Sequence, residues 1–333
     1  MIIQKGVMYM SALNINKDLL EKFEKGLDPR HPERSKIPAK IIGYGEISTI
    51  FEIQDLTQKG LAYKRLPIFK SRSEMDQYER IYNEYNRLLK DEVGIEVPDY
   101  GLVEIIPDEG NMVIYNVQSM LPPASIGNKL LHSLNDEDCV ILFEAVLKEL
   151  KKVWSFNKRA TGVEIGIDGQ ISNWALKDFN ESRPTVTPDS ELLYFDTSTP
   201  LFRINAKEQI NPDLFLRSAP SFLVWLIKWL FLEDVVTRYY DFHMVIVDLI
   251  ANLYKEQRPD LIPRFIDRAN TFISTEAKEF DVKPVDEKEV RSYYREDAII
   301  WRLYLALRRL DRFLMTRLLH RPYVYILPGR IKR

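Results

Sequence analysis

The chain is poor in cysteine and histidine and carries no excess of charge of either sign. Its single cysteine, Cys139, excludes an internal disulfide and fits a reducing compartment, so we expect a cytoplasmic protein. The formal net charge of −2 lacks the basic excess that is typical of nucleic-acid binding. No zinc-ligand spacing of His and Cys occurs, and no Gly-x-Ser-x-Gly motif is present. We therefore expect no nucleic-acid partner, and neither a zinc site nor a serine-hydrolase site.

Long apolar runs are also missing. The first fourteen residues have no extended apolar core followed by small residues, so we predict no signal peptide. The most apolar later stretch, Ser221 to Leu232, contains Lys228 and is too short to span a bilayer. We interpret it as a buried helix and expect no membrane partner.

The 333 residues are 45% hydrophobic, enough to build one large domain or two smaller ones. In the first third, β-branched and aromatic residues around turn signals predict strands, and apolar residues at helical spacing predict helices. The predicted elements are a short helix at 14–26, a proline-rich linker at 28–38, strands within 40–53 and 60–69, a helix at 75–91, and strands at 97–106 and 111–120 that are joined by a turn at Asp108-Glu109-Gly110.

The pattern changes after Pro122-Pro123. Residues 136–155 predict a long helix, short strand-like pieces continue to about residue 204, and nearly everything from Asn211 onward is typical of helices. The sequence therefore predicts an α+β fold in two lobes.

Two short motifs in the strand-rich part have the residue types of a nucleotide-phosphate site. In the first, Gly43-Tyr44-Gly45 precedes Ser48, and small residues let the backbone approach phosphate oxygens closely. The second, Leu61 to Lys64, is a strand motif. Alternation along a strand would place Ala62 and Lys64 on one face, with Ala62 beside a flat base and Lys64 near phosphates.

Carboxylates and an amide follow at informative positions. Glu84 lies in the predicted helix after Lys64 and could pair with it; Glu79 is the alternative. Asp168 and Asn173 have the Asp-x-x-x-x-Asn spacing of a catalytic loop, and Asp196 ends an apolar strand downstream.

In this order the five motifs resemble those of the protein-kinase-like superfamily, closest to aminoglycoside phosphotransferases and choline kinases. The resemblance implies a small antiparallel N-lobe sheet with one helix at 37–120, a larger, mainly helical C-lobe at 121–333 and an N-terminal helix and linker at 1–36. It implies ATP and Mg²⁺ as cofactors and a small-molecule substrate. The implied roles are catalysis by Asp168, metal binding by Asn173 and Asp196, and nucleotide binding by Gly43, Gly45, Ser48, Ala62, Lys64 and Glu84.

The sequence departs from that pattern at several positions. Gly166 stands where many kinases carry a histidine that braces the catalytic loop, so the support of Asp168 must come from elsewhere. Thr197-Ser198 follows Asp196 in place of Phe-Gly, and no Ala-Pro-Glu segment is present, which argues against a protein kinase. A pseudokinase-type module without turnover, transfer of a nucleotide in place of phosphate, and an α+β interaction protein with chance motifs remain the alternatives.

Two further clusters carry polar and aromatic side chains. Residues 239–243 combine two tyrosines with Asp241 and His243, and we interpret them as the edge of a core. Near the C-terminus, Arg302, Arg309 and Arg312 could share a helical face that contacts a partner protein. A terminal helix docked on the core, with its arginines in surface ion pairs, explains the same pattern and is the interpretation we favour.

Overall fold

The computed structural model describes residues 13–45, 47–107, 112–211, 213–217, 237–321 and 323–328. The first twelve residues, the predicted turn at 108–110 and the apolar stretch at 221–232 lie outside these ranges. The chain divides into two compact units. The first unit comprises Met1–Met75, Pro98–Met120 and Val324–Ile326, and the second comprises Asp76–Val97, Leu121–Tyr323 and Leu327–Arg333.

The first unit is built on a five-stranded antiparallel sheet. Its strands are β1 (Ala39–Tyr44), β2 (Thr49–Ile53), β3 (Leu61–Phe69), β4 (Tyr100–Ile105) and β5 (Met112–Ser119), in the spatial order β1-β2-β3-β5-β4. Helix α1 (Lys17–Lys25) precedes them. The mixed α/β character and the small antiparallel sheet predicted from the sequence are confirmed.

One face of this sheet is closed by α1. Leu20 and Phe23 of the helix join a core of strand residues that includes Phe51 and Tyr63, and the rings of Phe23 and Phe51 meet edge-on at 5.2 Å. Because side chains alternate along a strand, burying Tyr63 on this face turns Ala62 and Lys64 to the other. The predicted N-terminal helix is therefore an integral layer of the first unit.

The second unit is mainly helical. It contains most of helix α2 (Arg72–Arg87), whose predicted apolar stripe, represented by Tyr78 and Tyr85, is fully buried. Within the described ranges its other helices are α3 (Gly127–Ser133), α4 (Asp136–Arg159), α5 (Asp213–Leu216), α6 (Phe242–Lys255), α7 (Ile262–Thr275) and α8 (Glu287–Phe313). Its strands are β6 (Val163–Ile165), β7 (Trp174–Leu176), β8 (Leu192–Tyr194), β9 (Phe202–Ile204) and β10 (Lys207–Glu208).

Aromatic contacts hold α4 against its neighbours. Phe143 stacks on Phe265 of α7 at 4.2 Å between ring centroids, and Trp154 stacks on Phe242 of α6 at 4.3 Å. Such pairs contribute about 0.5–1.5 kcal/mol beyond the area that they bury. These stacked pairs fix α4 against α6 and α7. Within the described residues, no helix has the length and apolar character needed to cross a membrane.

Candidate functional site

In the first unit, the two glycines of the predicted motif lie at the turn between β1 and β2, where side chains pack closely against them. The backbone N–H of Gly45 donates to the carbonyl of Ser48 at 3.1 Å. A Cβ on Gly45 would collide with Ser48 Oγ, and one on Gly43 would lie 3.0 Å from the Ile50 side chain. At position 45, only glycine fits without displacing the Ser48 side chain.

Lys64 lies beneath this turn. It pairs with Ile50 in β2, and Ile50 in turn pairs with Gly43 in β1, so the three residues form one row across the sheet. The Cε atom of Lys64 lies 3.7 Å from where a Cβ of Gly45 would be. The structure therefore brings together Gly43, Gly45, Ser48 and Lys64 in one part of the first unit, with Ala62 on the same face of β3.

In the second unit, Asp168 and Asn173 lie in one compact loop between β6 and β7. The Nδ2 atom of Asn173 donates to the backbone carbonyl of Asp168 at 3.2 Å, and the backbone N–H of Gln170 donates to Asp168 Oδ1 at 3.2 Å. The indole N–H of Trp174 donates to the carbonyl of Gly169 at 3.3 Å. These bonds fold the loop back on itself and fix the carboxylate of Asp168.

A short hairpin then brings Asp196 to the same end as Asn173. Strands β7 and β8 pair antiparallel with Trp174 opposite Tyr194, so the residue before β7 meets the residues after β8. The backbone N–H of Phe195 donates to the carbonyl of Asn173 at 3.1 Å. Because Nδ2 of Asn173 is bound to Asp168, Oδ1 is the atom of that amide which can ligate a metal.

The donor set at this end consists of amide and carboxylate oxygens. Oxygen atoms of this kind are the ligands that Mg²⁺ prefers, and it is commonly held by one or two carboxylates together with phosphate oxygens. Ser198 Oγ donates to Asp196 Oδ1 at 3.2 Å and orients that carboxylate. Across the described ranges, no group of three or more His, Cys, Asp and Glu side chains could hold a metal. Amide and carboxylate oxygens are the donor type that Mg²⁺ takes, and binding of the ion by Asn173 and Asp196 stays a prediction.

Gly166, the most conspicuous departure from the kinase pattern, is tightly packed. A Cβ at this position would lie 3.1 Å from the Tyr240 ring and 3.2 Å from the carbonyl of Tyr239. The hydroxyl of Tyr85, on α2, donates to the Gly166 carbonyl at 2.9 Å, and the Ile167 N–H donates to the Tyr239 carbonyl at 3.1 Å. Tyrosine side chains and backbone groups therefore support the Asp168 loop. They take the role that a histidine at position 166 would have.

The carboxyl of Asp168 lies in an unusual electrostatic environment. Burial raises its pKa to about 7, and the negative charges of Asp248 and Asp196 contribute to the same shift. The Lys255 ammonium group opposes the shift. Asp248 is buried at 7% exposure, and its Oδ2 accepts a hydrogen bond from Gln170 Nε2 at 3.2 Å.

Sequence reasoning missed Gln170, Asp248 and Lys255. The Nζ atom of Lys255 donates to Gln170 Oε1 at 3.0 Å, which completes a chain of contacts from α6 to the Asp168 loop. The only available signal was local: Asp248 and Lys255 are polar residues on one face of the very apolar helix α6. Nothing in the spacing ties that helix to residue 168.

Glu84, the predicted partner of Lys64, is held by a different cation. Both carboxylate oxygens accept hydrogen bonds from Arg87 on the same helix, at 3.1 Å from Nε and 3.0 Å from the terminal nitrogen. The pairing of Glu84 with Lys64 stays a prediction, and so does the alternative pairing of Glu79 with Lys64.

The cluster at residues 239–243 is structural, as we interpreted it. Asp241 caps α6 by accepting a hydrogen bond from the Met244 N–H at 3.2 Å. His243 is buried and contacts Glu289 and the carbonyl of Lys283. Leu305 and Arg308 of α8 are also buried, so the arginine-rich helix docks on the second unit, as in the interpretation we favoured; the surface ion pairs of its arginines stay a prediction.

Sequence comparison assigns the chain to a family. Residues 33–312 match the model of DUF6206, which is described as a family of unknown function, and the chain belongs to that family. None of the curated proteins matches the chain. The solved structure of WaaP in complex with acyl carrier protein is similar over 86% of this chain and 98% of that one, at 13% identity and a TM-score of 0.35. A TM-score this low establishes neither a common fold nor a common activity.

Proposed function

We propose that this protein is an ATP- and Mg²⁺-dependent phosphotransferase with a two-lobed protein-kinase-like fold, acting on a hydroxyl group of a small molecule. The observation that carries the proposal is the juxtaposition of Asp168, Asn173 and Asp196 by one loop and one hairpin of the second unit. These are the three positions at which a kinase needs an acceptor-orienting carboxylate and two metal ligands.

Each unit would contribute its own share of the chemistry. In the first unit, Lys64 and the backbone of the Gly43–Ser48 turn would hold nucleotide phosphates. In the second, Oδ1 of Asn173 and the carboxylate of Asp196 would hold Mg²⁺, which neutralises charge on the transferred group. Asp168 would orient the acceptor hydroxyl and accept its proton, and its raised pKa suits that role near neutral pH.

The runner-up is a nucleotide-binding module without turnover. Two observations favour it: a Cβ at Gly166 would lie only 3.1 Å from the Tyr240 ring, and Arg87 binds both carboxylate oxygens of Glu84. In an active kinase those positions carry the loop-bracing histidine and the partner of the lysine. The two functions differ in turnover and share nucleotide binding.

The test measures thermal unfolding with and without ATP and Mg²⁺, followed by release of ADP with candidate acceptors. A ligand that binds only the native state raises the unfolding midpoint by mass action. We expect a Mg²⁺-dependent rise in the wild type that is lost in Asp196→Ala. The matched control is Asp178→Ala, because Asp178 is an exposed carboxylate beyond the other end of the same hairpin.

Turnover separates the two functions. ADP release that is abolished in Asp168→Ala, with the nucleotide-dependent rise retained, supports the phosphotransferase. A rise without turnover under any acceptor supports the module. No rise at millimolar nucleotide contradicts both and leaves an interaction protein as the better description.

A further inference from the structure

Helix α8 packs on the second unit with one face and exposes the opposite face. The packed face includes Ala298, Leu305 and Arg308, which are buried. The exposed face carries a row of apolar side chains, called here the exposed row: Ile299, Leu303, Ala306, Leu310 and Phe313. Within the described ranges, six of the eleven exposed large hydrophobic side chains lie between residues 299 and 319. They form a cluster, and clustered apolar side chains on a surface mark an interaction site more often than scattered ones do.

The spacing of the exposed row is that of a contact between two helices. The intervals between its members are four, three, four and three residues, which average 3.5. A repeat of 3.5 keeps one stripe of a helix against a second helix over several turns, as in coiled coils. Glu296 and Arg317 continue the same spacing at the two ends, so the apolar stripe is limited to about 21 Å of helix.

Positive charge borders the exposed row on one side. Arg302 and Arg309 are exposed, and each directly precedes a leucine of the row, whereas Ile300 and Leu307 on the other side are half-buried. Between residues 298 and 321 the sequence has six arginines and a single acidic residue, Asp311. The face is therefore complementary to an occupant that carries carboxylates along one edge.

Two other occupants fit these charges less well. A second copy of α8 has no carboxylate at the positions that flank its own row, so it would bring arginines and apolar residues to Arg302 and Arg309. A lipid surface favours a helix with basic residues on both borders of its apolar face, and here only one border is basic.

We propose that the exposed row of α8 is a docking surface for an amphipathic helix of a partner protein. That helix has apolar residues at a repeat of 3.5 and aspartate or glutamate along the edge that faces Arg302 and Arg309. The docking surface goes beyond the phosphotransferase function proposed above and does not depend on it. The sequence suggested two roles for this arginine-rich helix, docking on the core and contact with a partner, and its two opposite faces can serve one role each.

The experiment measures the binding of two synthetic peptides to the wild-type protein by fluorescence anisotropy. Each peptide has about four heptads with leucine at both core positions, and the flanking positions carry glutamate in one peptide and lysine in the other. Like charges on the flanks keep each peptide from pairing with itself. The variants are Leu310→Gln, in the row, and Arg302→Glu, at its border. The matched controls are Leu56→Gln and Arg183→Glu, at exposed residues outside α8.

We expect the wild type to bind the glutamate peptide and not the lysine peptide, with weaker binding at high salt. Leu310→Gln should weaken this binding about tenfold, because the complex loses the burial of a leucine. Arg302→Glu should weaken binding of the glutamate peptide about fivefold and strengthen binding of the lysine peptide. Stronger binding of the lysine peptide separates a change of charge pairing from a loss of folding, because a misfolded variant gains affinity for neither peptide. Both controls should bind like the wild type.

Equal affinity for the two peptides, or binding that Leu310→Gln leaves unchanged, overturns the proposal. So does a wild type that binds neither peptide, and three further measurements then say what covers the row. A dimer in sedimentation that is lost in Leu310→Gln assigns the row to a second copy. Binding to vesicles of phosphatidylcholine and phosphatidylglycerol assigns it to a lipid surface. A lowered unfolding midpoint in Leu310→Gln, with the Leu56→Gln control unchanged, assigns it to a contact within the chain.

Discussion

The hydroxyl of Tyr85 donates a hydrogen bond to the backbone carbonyl of Gly166 at 2.9 Å. This bond joins a fully buried side chain of α2 to the residue two positions before Asp168. In kinases that carry a histidine near this position, the imidazole braces the catalytic loop; here a tyrosine hydroxyl holds the backbone directly. The loop is therefore fixed from the helix beneath it.

Removing that hydroxyl should weaken both the fold and the loop. Tyr85→Phe leaves the Gly166 carbonyl without this donor, and we expect a loss of about 1–3 kcal/mol in the free energy of unfolding. ADP release should fall further than the stability loss explains, because Asp168 loses its orientation. Urea unfolding and ADP release check the two effects.

The control for this variant is Tyr323→Phe. The Tyr323 hydroxyl also donates to a backbone carbonyl, that of Arg308 at 3.4 Å, and it lies outside the loop. It should lose stability without a selective loss of turnover. If both variants behave alike, Tyr85 is only a packing residue.

Restoring a side chain at Gly166 should harm the protein. Its Cβ would lie 3.1 Å from the Tyr240 ring, so we expect Gly166→Ala to lower the free energy of unfolding by about 1–3 kcal/mol. Gly26→Ala is the comparison, since a Cβ there meets only ordinary contacts of 3.4 Å or more. Denaturant midpoints measure both. A neutral Gly166→Ala would mean that Tyr240 can move and that tight packing does not account for the glycine.

The parts of the second unit that the sequence predicted depend on residues that are close together in the chain. The buried stripe of α2 follows from helical spacing, and the apolar strand that ends at Asp196 follows from its residue types, whereas its pairing with β7 was not predicted. The position of Asp248 beside the Asp168 loop could not be predicted. Asp248 lies eighty residues from Asp168 in the sequence, and only the packing of α6 brings the two together. From the sequence, Gly166 is the loss of a functional residue, whereas in the structure it packs tightly against the ring of Tyr240.

A buried ion pair in the first unit should make stability depend on pH. Arg65 and Glu24 are 4% and 8% exposed, and Arg65 also donates to the carbonyl of Val324 at 2.8 Å. Burial by itself would raise the pKa of Glu24, but the Arg65 charge and hydrogen bonds from Arg65 and Tyr115 outweigh it and leave the pKa lowered.

A lowered folded-state pKa means that the pair stabilises the protein above the ordinary glutamate pKa and loses that contribution as pH falls below it. We expect Glu24→Gln to cost about 3–5 kcal/mol at pH 7, since it leaves a buried guanidinium without its counter-charge. The cost should shrink as the pH falls below 4. Glu21→Gln, at an exposed pair with Lys17, should change little at either pH. A cost for Glu24→Gln that grows on acidification would contradict the assignment.

Lys64 should decide whether the first unit binds nucleotide phosphates. Its side chain lies beneath Gly45, where the glycine leaves the backbone open, so Lys64→Met removes the cation and keeps most of the aliphatic contact. We expect this variant to lose the rise in unfolding midpoint that Mg²⁺–ATP produces in the wild type. Lys40→Met, at an exposed lysine of β1, is the matched control and should keep the full rise. If Lys64→Met retains it as well, the phosphates are bound by other residues, and the match of the Ala62–Lys64 strand to a kinase motif is accidental.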